Sequence, residues 1–204
     1  MMRKLALALA IAAFAAVPAL AADITLPSPQ KEGGAPVLAA LDARGSAAQA
    51  PFKKEALTTR ELATLLWAAT GKNRGGKGWT APYALGKAPY VDVYALLSDG
   101  VYHYDWQNGT LKQLSERNII SRACAQPFAG TAPCVLVFAA GGSLRVDSWA
   151  EIAAGAMSQN VYLAAQALGL KTRYIQSFSK NPIIDAIQLS PVGRILCIMP
   201  VGRQ

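Results

Sequence analysis

Histidine, cysteine and acidic residues are scarce in this chain of 204 residues, which has one histidine, three cysteines and 12 acidic side chains. A zinc site usually needs several Cys or His ligands at short spacing, so the sequence does not favour one. The acidic residues are isolated, which argues against a paired-carboxylate glycosidase. No G-x-S-x-G, P-loop, H-E-x-x-H or G-x-G-x-x-G segment is present. If the protein is an enzyme, we therefore expect a cofactor to carry its chemistry.

The few cysteines and the single histidine do not suggest a catalytic pair. Cys124 and Cys134 are close enough to close a short loop, and an oxidising compartment would permit either a disulfide or two free thiols. Cys197 lies in the apolar run "ILCIMPV", which is typical of a buried, inert thiol. His103 alternates with tyrosines in "GVYHYD", so it is predicted on a strand face.

The formal net charge is +8, but the basic residues are scattered along the chain. A stripe of basic and aromatic side chains, which single-stranded nucleic acids require, is not evident. A diffuse positive field would still favour anionic ligands, phosphates included. Charge alone thus predicts an affinity for small anions and no nucleic-acid partner.

The first 21 residues are typical of a secretory signal peptide. Arg3-Lys4 precedes an apolar run over 5–17, and Ala19-Leu20-Ala21 fits the small-x-small pattern of signal peptidase sites. A membrane anchor is the alternative, but the apolar run is short for a span. We expect export, to the periplasm, of a single domain over 22–204 with no membrane span. The start has no twin-arginine pair, so folded export with a loaded cofactor is not indicated.

Hydrophobic periodicity predicts helices separated by strands. Thr58 and Glu61 have capping-box spacing before a leucine stripe, and Gly71 ends that helix. A short helix is predicted in "VLAALDARGS", and a long one begins at Asp147 or Ser148 and runs to Leu168, ended by Gly169. Asn181-Pro182 suggests the start of a further helix.

Five apolar runs are predicted to be strands: "YVDVYALL", "GVYHYD", "CVLVFAA", "KTRYIQSF" and "GRILCIMPVG". The first two are joined by a turn at Ser98-Asp99-Gly100, and Asn108-Gly109 marks another tight turn. Asn108-Gly109-Thr110 also fits a glycosylation sequon, although the turn alone explains it. Strands interleave irregularly with helices, so we predict an α+β fold.

The order of several segments resembles the nitroreductase family of flavin enzymes. The segments are "ITLPSPQKEGGAPVLAALDARGS", "LTTRELATLLWAATGKNR", "TAP", "VDVYALLSDGVYHYD", "AGAMSQNVYLAAQALGL" and "VGR". The short, single-domain branch of that family has an R-R-S-x-R segment, an L-L-W-A-A-x-G-I-N-R helix end and a T-A-P-S loop in this order. The resemblance covers nearly all of the predicted mature chain, and Gln159-Asn160 in an alanine-rich helix supports it.

The resemblance implies an α+β fold with a central, mainly antiparallel sheet flanked by helices, in an interlocked homodimer. It implies one FMN at each of two interface sites. Such enzymes take hydride from NADH or NADPH and pass electrons to a nitroaromatic, a quinone or a similar small acceptor in a ping-pong cycle. The flavin carries the chemistry, so no covalent nucleophile is expected.

Three residues match family positions near the FMN phosphate. Arg44 and Ser46 match the first Arg and the Ser of R-R-S-x-R, and a guanidinium with a hydroxyl suits a phosphate. Arg203 matches a C-terminal basic residue near the same group. Without the resemblance, Arg44 is equally well interpreted as a solvated arginine after a short helix, and Arg203 as part of a frayed basic tail.

Other matches fall along the flavin ring. Thr80-Ala81-Pro82 matches the T-A-P loop, whose backbone and next side chains, here Tyr83 and Ala84, lie along the ring. Gln176 and Ser177 match a turn at the end of a strand, which in the family lies beside the N5 atom of the flavin. Trp79 is expected either to line this pocket or to hold the loop in place. Trp67 is predicted in the core.

The sequence departs from the family pattern at several of these positions. Gly45 and Ala48 replace the second and third Arg of R-R-S-x-R, and Tyr83 replaces the Ser after T-A-P. Gly86 or Lys87 replaces an Asn, and Lys87 or Arg74 are candidates to compensate for the lost contacts. The alternative function is therefore an exported protein of this fold that has lost FMN and acts as a binding or structural protein.

Overall fold

A computed structural model of the chain describes residues 22–84, 89–141 and 147–204. The predicted signal peptide over 1–21, and Gly86 and Lys87, lie outside the described residues, as does the side chain of Asp147. The described part contains nine strands and five helices, whose bounds follow.

The centre of the molecule is an antiparallel sheet. The strands are β1 Ile24–Thr25, β2 Lys72–Asn73, β3 Gly78–Trp79, β4 Val91–Leu97, β5 Gly100–Asp105, β6 Thr110–Ser115, β7 Cys134–Ala140, β8 Lys171–Thr172 and β9 Arg194–Gly202. Seven of them form one sheet in the order β1-β6-β5-β4-β7-β9-β8, while β2 and β3 form a separate hairpin. Every neighbouring pair in the sheet is antiparallel. The predicted α+β fold with a mainly antiparallel sheet is confirmed.

Helices cover both faces of this sheet. They are α1 Val37–Ala43, α2 Thr59–Thr70, α3 Ile120–Ala123, α4 Asp147–Ala167 and α5 Lys180–Ile187. The central strand β7 is buried along its whole length and alternates between two cores. Leu136 and Phe138 pack with α2 and α4, whereas Val135 and Val137 pack with α3 and α5. This period of two is why a fully apolar run forms a strand here.

The start and the end of α2 follow from local chemistry. The Thr58 Oγ1 atom accepts a hydrogen bond of 3.2 Å from the Glu61 backbone N–H, and Glu61 Oε2 accepts one of 2.7 Å from the Thr58 N–H. The predicted capping box is therefore confirmed. Gly71 ends the helix with a φ of −83°, which any residue adopts. Glycine is required there for space, because a Cβ would lie 2.1 Å from the Trp67 indole.

Two predicted elements differ from the structure. Only Lys171–Thr172 of "KTRYIQSF" forms a strand. The Tyr174 N–H donates to a side-chain hydroxyl rather than to a neighbouring strand, and Ile175 keeps a single bridge. Helix α5 begins at Lys180, with Ser179 as its N-cap, so Pro182 lies in the first turn. Proline is tolerated there because those N–H groups have no partner within the helix.

Candidate functional site

The Arg44-Gly45-Ser46 segment lies at an edge of the sheet, directly after α1. The Arg44 N–H donates 2.9 Å to the Ala40 carbonyl, which closes the helix. Ser46 then forms an isolated parallel bridge with Thr172 of β8, and the Ala47 N–H donates 2.7 Å to the Thr172 carbonyl. The segment is thus held as an extra extended chain beside β8.

The chemical groups of this segment suit an anion. The Arg44 guanidinium lies 4.6 Å from the centre of the Tyr162 ring, and no carboxylate in the described part of the chain forms an ion pair with it. Gly45 has no atom within 4 Å of the place where a Cβ would stand. Ser46 is exposed and adds a hydroxyl. A cation, a hydroxyl and open space therefore lie next to one another.

Two tyrosines connect Ser46 to Gln176. The Ser46 Oγ atom is 3.0 Å from the Tyr162 hydroxyl, which also accepts a hydrogen bond of 2.8 Å from the Tyr174 N–H. The Gln176 Nε2 atom donates 3.0 Å to the Tyr174 hydroxyl. The structure thus links Ser46 to Gln176 through the Tyr162 hydroxyl and through the backbone and side chain of Tyr174, with the Arg44 guanidinium against the Tyr162 ring.

Sequence reasoning missed both tyrosines. Tyr162 lies in the alanine-rich helix α4 and is buried apart from 8 % of its surface. A buried tyrosine hydroxyl usually has a hydrogen-bond partner, so a tyrosine on this helix could have indicated a polar contact. Burial also raises the pKa of Tyr174, so its hydroxyl is protonated at neutral pH. The partner Ser46 lies 116 residues from Tyr162 in the chain, so hydrophobic periodicity does not reveal this contact.

Replacing Tyr162 by phenylalanine tests this line of contacts. The substitution keeps the ring beside Arg44 but leaves the part-buried Tyr174 N–H without its acceptor, and a lost hydrogen bond of this kind costs about 0.5–1.5 kcal/mol. We expect a lower free energy of unfolding by that amount in a urea titration. Tyr94→Phe is the matched control, because Tyr94 is about as buried as Tyr162 and its hydroxyl accepts no backbone N–H among the described residues. Equal stability of wild type and Tyr162→Phe would contradict the arrangement.

Gln176 and the neighbouring Ser177 are exposed. Gln176 lines a pocket of about 400 Å³, which we call the Gln176 pocket. Its other lining residues are Glu151, Ala154, Tyr174, Phe178, Lys180, Arg194, Ile195 and Leu196. The predicted turn residues are thus accessible at the far end of the hydrogen-bonded line.

Arg203 is close to the segment through its backbone, while its side chain turns to α2. The Arg203 Nη2 atom is 2.6 Å from Glu61 Oε1, and its Nη1 atom is 3.5 Å from Glu55 Oε1. The following Gln204 exchanges hydrogen bonds of 2.9 and 3.0 Å with the Ala48 backbone. The Arg203 charge is therefore already paired, which the sequence pattern did not reveal.

The T-A-P loop lies on another side of α4. Pro82 is exposed, but Tyr83 is buried, and its hydroxyl bonds to Thr70. Burial raises the pKa of Tyr83 to about 12, so this hydroxyl stays protonated. The Ala84 N–H donates 3.0 Å to the Tyr90 hydroxyl. The loop thus presents Pro82 and backbone atoms rather than the Tyr83 ring.

The buried position of Tyr83 has a packing reason. Its ring meets Trp79 edge to face at 5.9 Å and Tyr90 at 5.0 Å, and aromatic pairs favour such geometry. Trp79 also meets Trp106 at 4.6 Å, with the Lys72 ammonium 4.5 Å from the Trp79 ring. Of the two roles expected for Trp79, holding the loop in place is the one that these contacts support.

A second pocket of about 470 Å³ lies between the arm before α1, helix α2, the loop and α4. Thr80 and Asn160 line it, and the Asn160 Nδ2 atom donates 2.9 Å to the Thr80 carbonyl. Trp67 also lines this pocket and is only partly buried, so its predicted core position is wrong. Its indole N–H instead donates 2.8 Å to the Lys72 carbonyl.

Helix α4 separates the loop from the Arg44 segment. Asn160 contacts the loop, whereas Tyr162 contacts Ser46. Residues two positions apart on a helix are rotated by about 200° around its axis, so these two side chains leave α4 in nearly opposite directions. One chain therefore brings together Arg44, Gly45, Ser46 and Gln176, with Ser177 alongside, but not Pro82, Tyr83 and Ala84.

The remaining reactive groups of the described residues form no second centre. Cys124, Cys134 and Cys197 are all free and buried, so the structure has no disulfide between the first two. Burial raises the pKa of each thiol to about 12, which leaves almost no thiolate at neutral pH. His103 lies 3.3 Å from Asp92 on the strands, as its pattern predicts. Within the described ranges, no group of three or more potential metal ligands occurs.

None of the helices that the structure describes is long and apolar enough to cross a membrane.

Comparison with known proteins agrees with the fold. The model of the family described as "Nitroreductase family" matches residues 47–203. A Methanocaldococcus jannaschii protein that is assigned to the nitroreductases by name is 32% identical over 166 residues, which cover 72% of this chain and 82% of that protein.

Solved structures extend the comparison. A crystal structure of a protein from Ralstonia eutropha JMP134, also assigned to the nitroreductases, superimposes with a TM-score of 0.80 at 32% identity and covers 89% of each chain. One from Desulfovibrio desulfuricans, solved in complex with FMN, gives a TM-score of 0.61 at 19% identity, covering 83% of this chain and 86% of the other. At that identity, the second likeness concerns the fold alone.

Proposed function

Because this chain belongs to the nitroreductase family, we propose that it is an exported, FMN-dependent oxidoreductase. It passes electrons from NADH or NADPH to a nitroaromatic, a quinone or a similar small acceptor, in a ping-pong cycle. The observation that carries this proposal is the Arg44-Gly45-Ser46 segment, which combines a hydroxyl with a guanidinium that forms no ion pair among the described residues. The pattern over residues 3–21 supports export.

The donors of this segment fit the phosphate of FMN. A guanidinium presents a rigid fork of N–H donors that suits a phosphate, and each charge-assisted bond is stronger than a neutral one. Arg44 is held in place by the Tyr162 ring and is free of carboxylates among the described residues. Gly45 leaves room for an anion to approach the backbone. The fit depends on one arginine, because Gly45 and Ala48 replace the other two of the family pattern.

Gln176 supplies the polar contact at the other end. Its amide is oriented by the Tyr174 hydroxyl at 3.0 Å, and its carbonyl oxygen remains available to accept a hydrogen bond. Ser177 adds an exposed hydroxyl beside it. When bound, FMN supplies the group that accepts and donates hydride. The protein's part is to position that group and to bind the substrates next to it.

Arg203 acts as a positioning residue in this proposal. Its guanidinium joins the C-terminal segment to α2 through Glu61, at 2.6 Å. Gln204 then binds the backbone of Ala48, two residues after Ser46. The phosphate segment is thereby anchored to the body of the domain. Arg203 therefore supports the site through its neighbours instead of binding the phosphate itself.

A second copy of the chain completes the site. The T-A-P loop lies across α4 from Arg44, so a loop from a partner subunit is the source of the contacts along the flavin ring. Helix α1, next to Arg44, exposes three large apolar side chains, Val37 at 62%, Leu38 at 76% and Leu41 at 47%. Exposed apolar groups clustered on one helix are typical of a surface that a partner covers. We therefore propose a homodimer with Pro82 and Ala84 of each subunit facing the partner's cofactor.

The test is a visible absorption spectrum of the mature protein, purified from the exported fraction, before and after addition of excess FMN. The expected result is a flavin spectrum that NADH or NADPH bleaches in the absence of oxygen. Protein that retains no flavin even after reconstitution would overturn the proposal. The fold would then serve as an exported binding or structural protein that has lost FMN.

A further inference from the structure

The Gln176 pocket has the volume of a small-molecule site, and its lining is more polar than apolar. It has a volume of about 400 Å³ and lies between the start of α4, the connection from β8 to α5 and the start of β9. Ala154, Phe178 and Leu196 contribute apolar surface, and Tyr174 and Gln176 contribute polar groups. Tyr174 and Phe178 are partly exposed aromatic side chains, on which a flat ring can stack.

The described residues that line this pocket carry more positive than negative charge. Arg194 Nη1 and Glu151 Oε1 are 3.1 Å apart, so these two charges offset each other. Lys180 is exposed at the start of α5, and no carboxylate in the described part of the chain forms an ion pair with it. The described lining therefore carries one uncompensated positive charge. Such a charge at the mouth of a pocket attracts anions.

We propose that the electron acceptor is a planar aromatic molecule with one anionic group, such as a carboxylated nitroaromatic or quinone. Lys180 binds the anionic group, while Phe178 and Leu196 contact the ring. This inference rests on the proposed function and on the position of Gln176 next to the cofactor. In the reaction, a quinone takes a hydride equivalent from NADH and a proton from water and leaves as the hydroquinone. The carboxylate is unchanged, so it serves recognition alone.

The test compares two acceptors of similar size, 4-nitrobenzoate and its neutral counterpart 4-nitrobenzamide, with the FMN-loaded protein. We expect kcat/KM to favour 4-nitrobenzoate. Lys180→Met is expected to raise KM for 4-nitrobenzoate about 3–5-fold, the effect of a partly exposed charge, while 4-nitrobenzamide changes less than about twofold. High salt should reduce the wild-type preference, since exposed charges are screened.

Lys54→Met is the matched control. Lys54 is an exposed cation in the segment before α2 and does not line the Gln176 pocket, so its loss changes the net charge equally. We expect it to leave both acceptors unaffected. If Lys54→Met and Lys180→Met lowered the preference for 4-nitrobenzoate equally, overall charge and not the Gln176 pocket would select the acceptor, and the inference would be overturned.

An equilibrium measurement separates this inference from the proposed function. Saturation-transfer NMR with 4-nitrobenzoate and 4-nitrobenzamide reports binding without turnover. Tighter binding of 4-nitrobenzoate that is lost in Lys180→Met supports the anion site, even in protein that retains no flavin. Equal binding of the two probes to wild type overturns the site. Failure to bind FMN, in contrast, overturns only the proposed oxidoreductase and with it the role of the anion as electron acceptor.

Discussion

Arg44→Ala is expected to weaken FMN binding at least tenfold. The substitution removes the one guanidinium of the phosphate segment that no carboxylate neutralises among the described residues. A hydrogen bond to a charged group contributes about 1.5–3 kcal/mol, and about 1.4 kcal/mol corresponds to a factor of ten in affinity. The measurement is a titration of apo-protein with FMN, followed by quenching of the flavin fluorescence.

Two further variants make this result specific. Arg117→Ala removes an exposed arginine that follows β6, so it changes the net charge equally away from the segment, and we expect unchanged affinity. Arg44→Lys keeps the charge but loses the planar fork, so an intermediate affinity is expected. Because Arg44 also packs on Tyr162, the melting temperature of each variant is compared. Wild-type affinity in well-folded Arg44→Ala would refute the assignment of the segment.

The fold was largely predictable because its signals are local. The run "CVLVFAA" forms the central strand β7, and "VDVYALL" and "GVYHYD" form the hairpin of β4 and β5. The capping box at Thr58 depends on residues three positions apart, so it is visible in sequence. The prediction of a strand over all of "KTRYIQSF" was wrong because the Tyr174 N–H donates to the Tyr162 hydroxyl of α4, a contact that no local pattern encodes.

The candidate site was predictable only where a short motif survives. Arg44, Ser46 and Gln176 were found through the family resemblance, and the structure joins them. The joining residues Tyr162 and Tyr174 look like ordinary helix and strand residues in sequence. Their role arises from packing of α4 against the edge of the sheet, which depends on distant parts of the chain.

Glu61 illustrates how one side chain takes a second role that sequence does not reveal. Its spacing from Thr58 predicts the cap, and its Oε2 atom does accept the Thr58 N–H. Its Oε1 atom meanwhile binds Arg203, which lies 142 residues away. A resemblance assigns Arg203 to the phosphate because the basic residue is in the expected place. The carboxylate that pairs with it is evident only once α2 and the end of β9 are adjacent.

Phe138→Ala is expected to lower the free energy of unfolding by about 3–5 kcal/mol. Phe138 is fully buried in the middle of β7 and pairs with Val93 on one side and Cys197 on the other. Its removal leaves a cavity between the sheet and α4 that the packed neighbours cannot fill. Domains are stable by only about 5–15 kcal/mol, so the loss is a large share of the total. Guanidinium unfolding followed by circular dichroism measures it.

Leu114→Ala is the control for this prediction, because Leu114 lies on β6 with 44% of its surface exposed and should cost less than about 1 kcal/mol. Added FMN should recover part of the stability of Phe138→Ala, since a ligand that binds only the folded state stabilises it. The Arg44 segment is held by β8 of the sheet and by Tyr162 of α4. A cavity between the sheet and α4 therefore loosens both of these contacts. A Phe138→Ala protein that unfolds like Leu114→Ala would mean that this core does not hold the site in place.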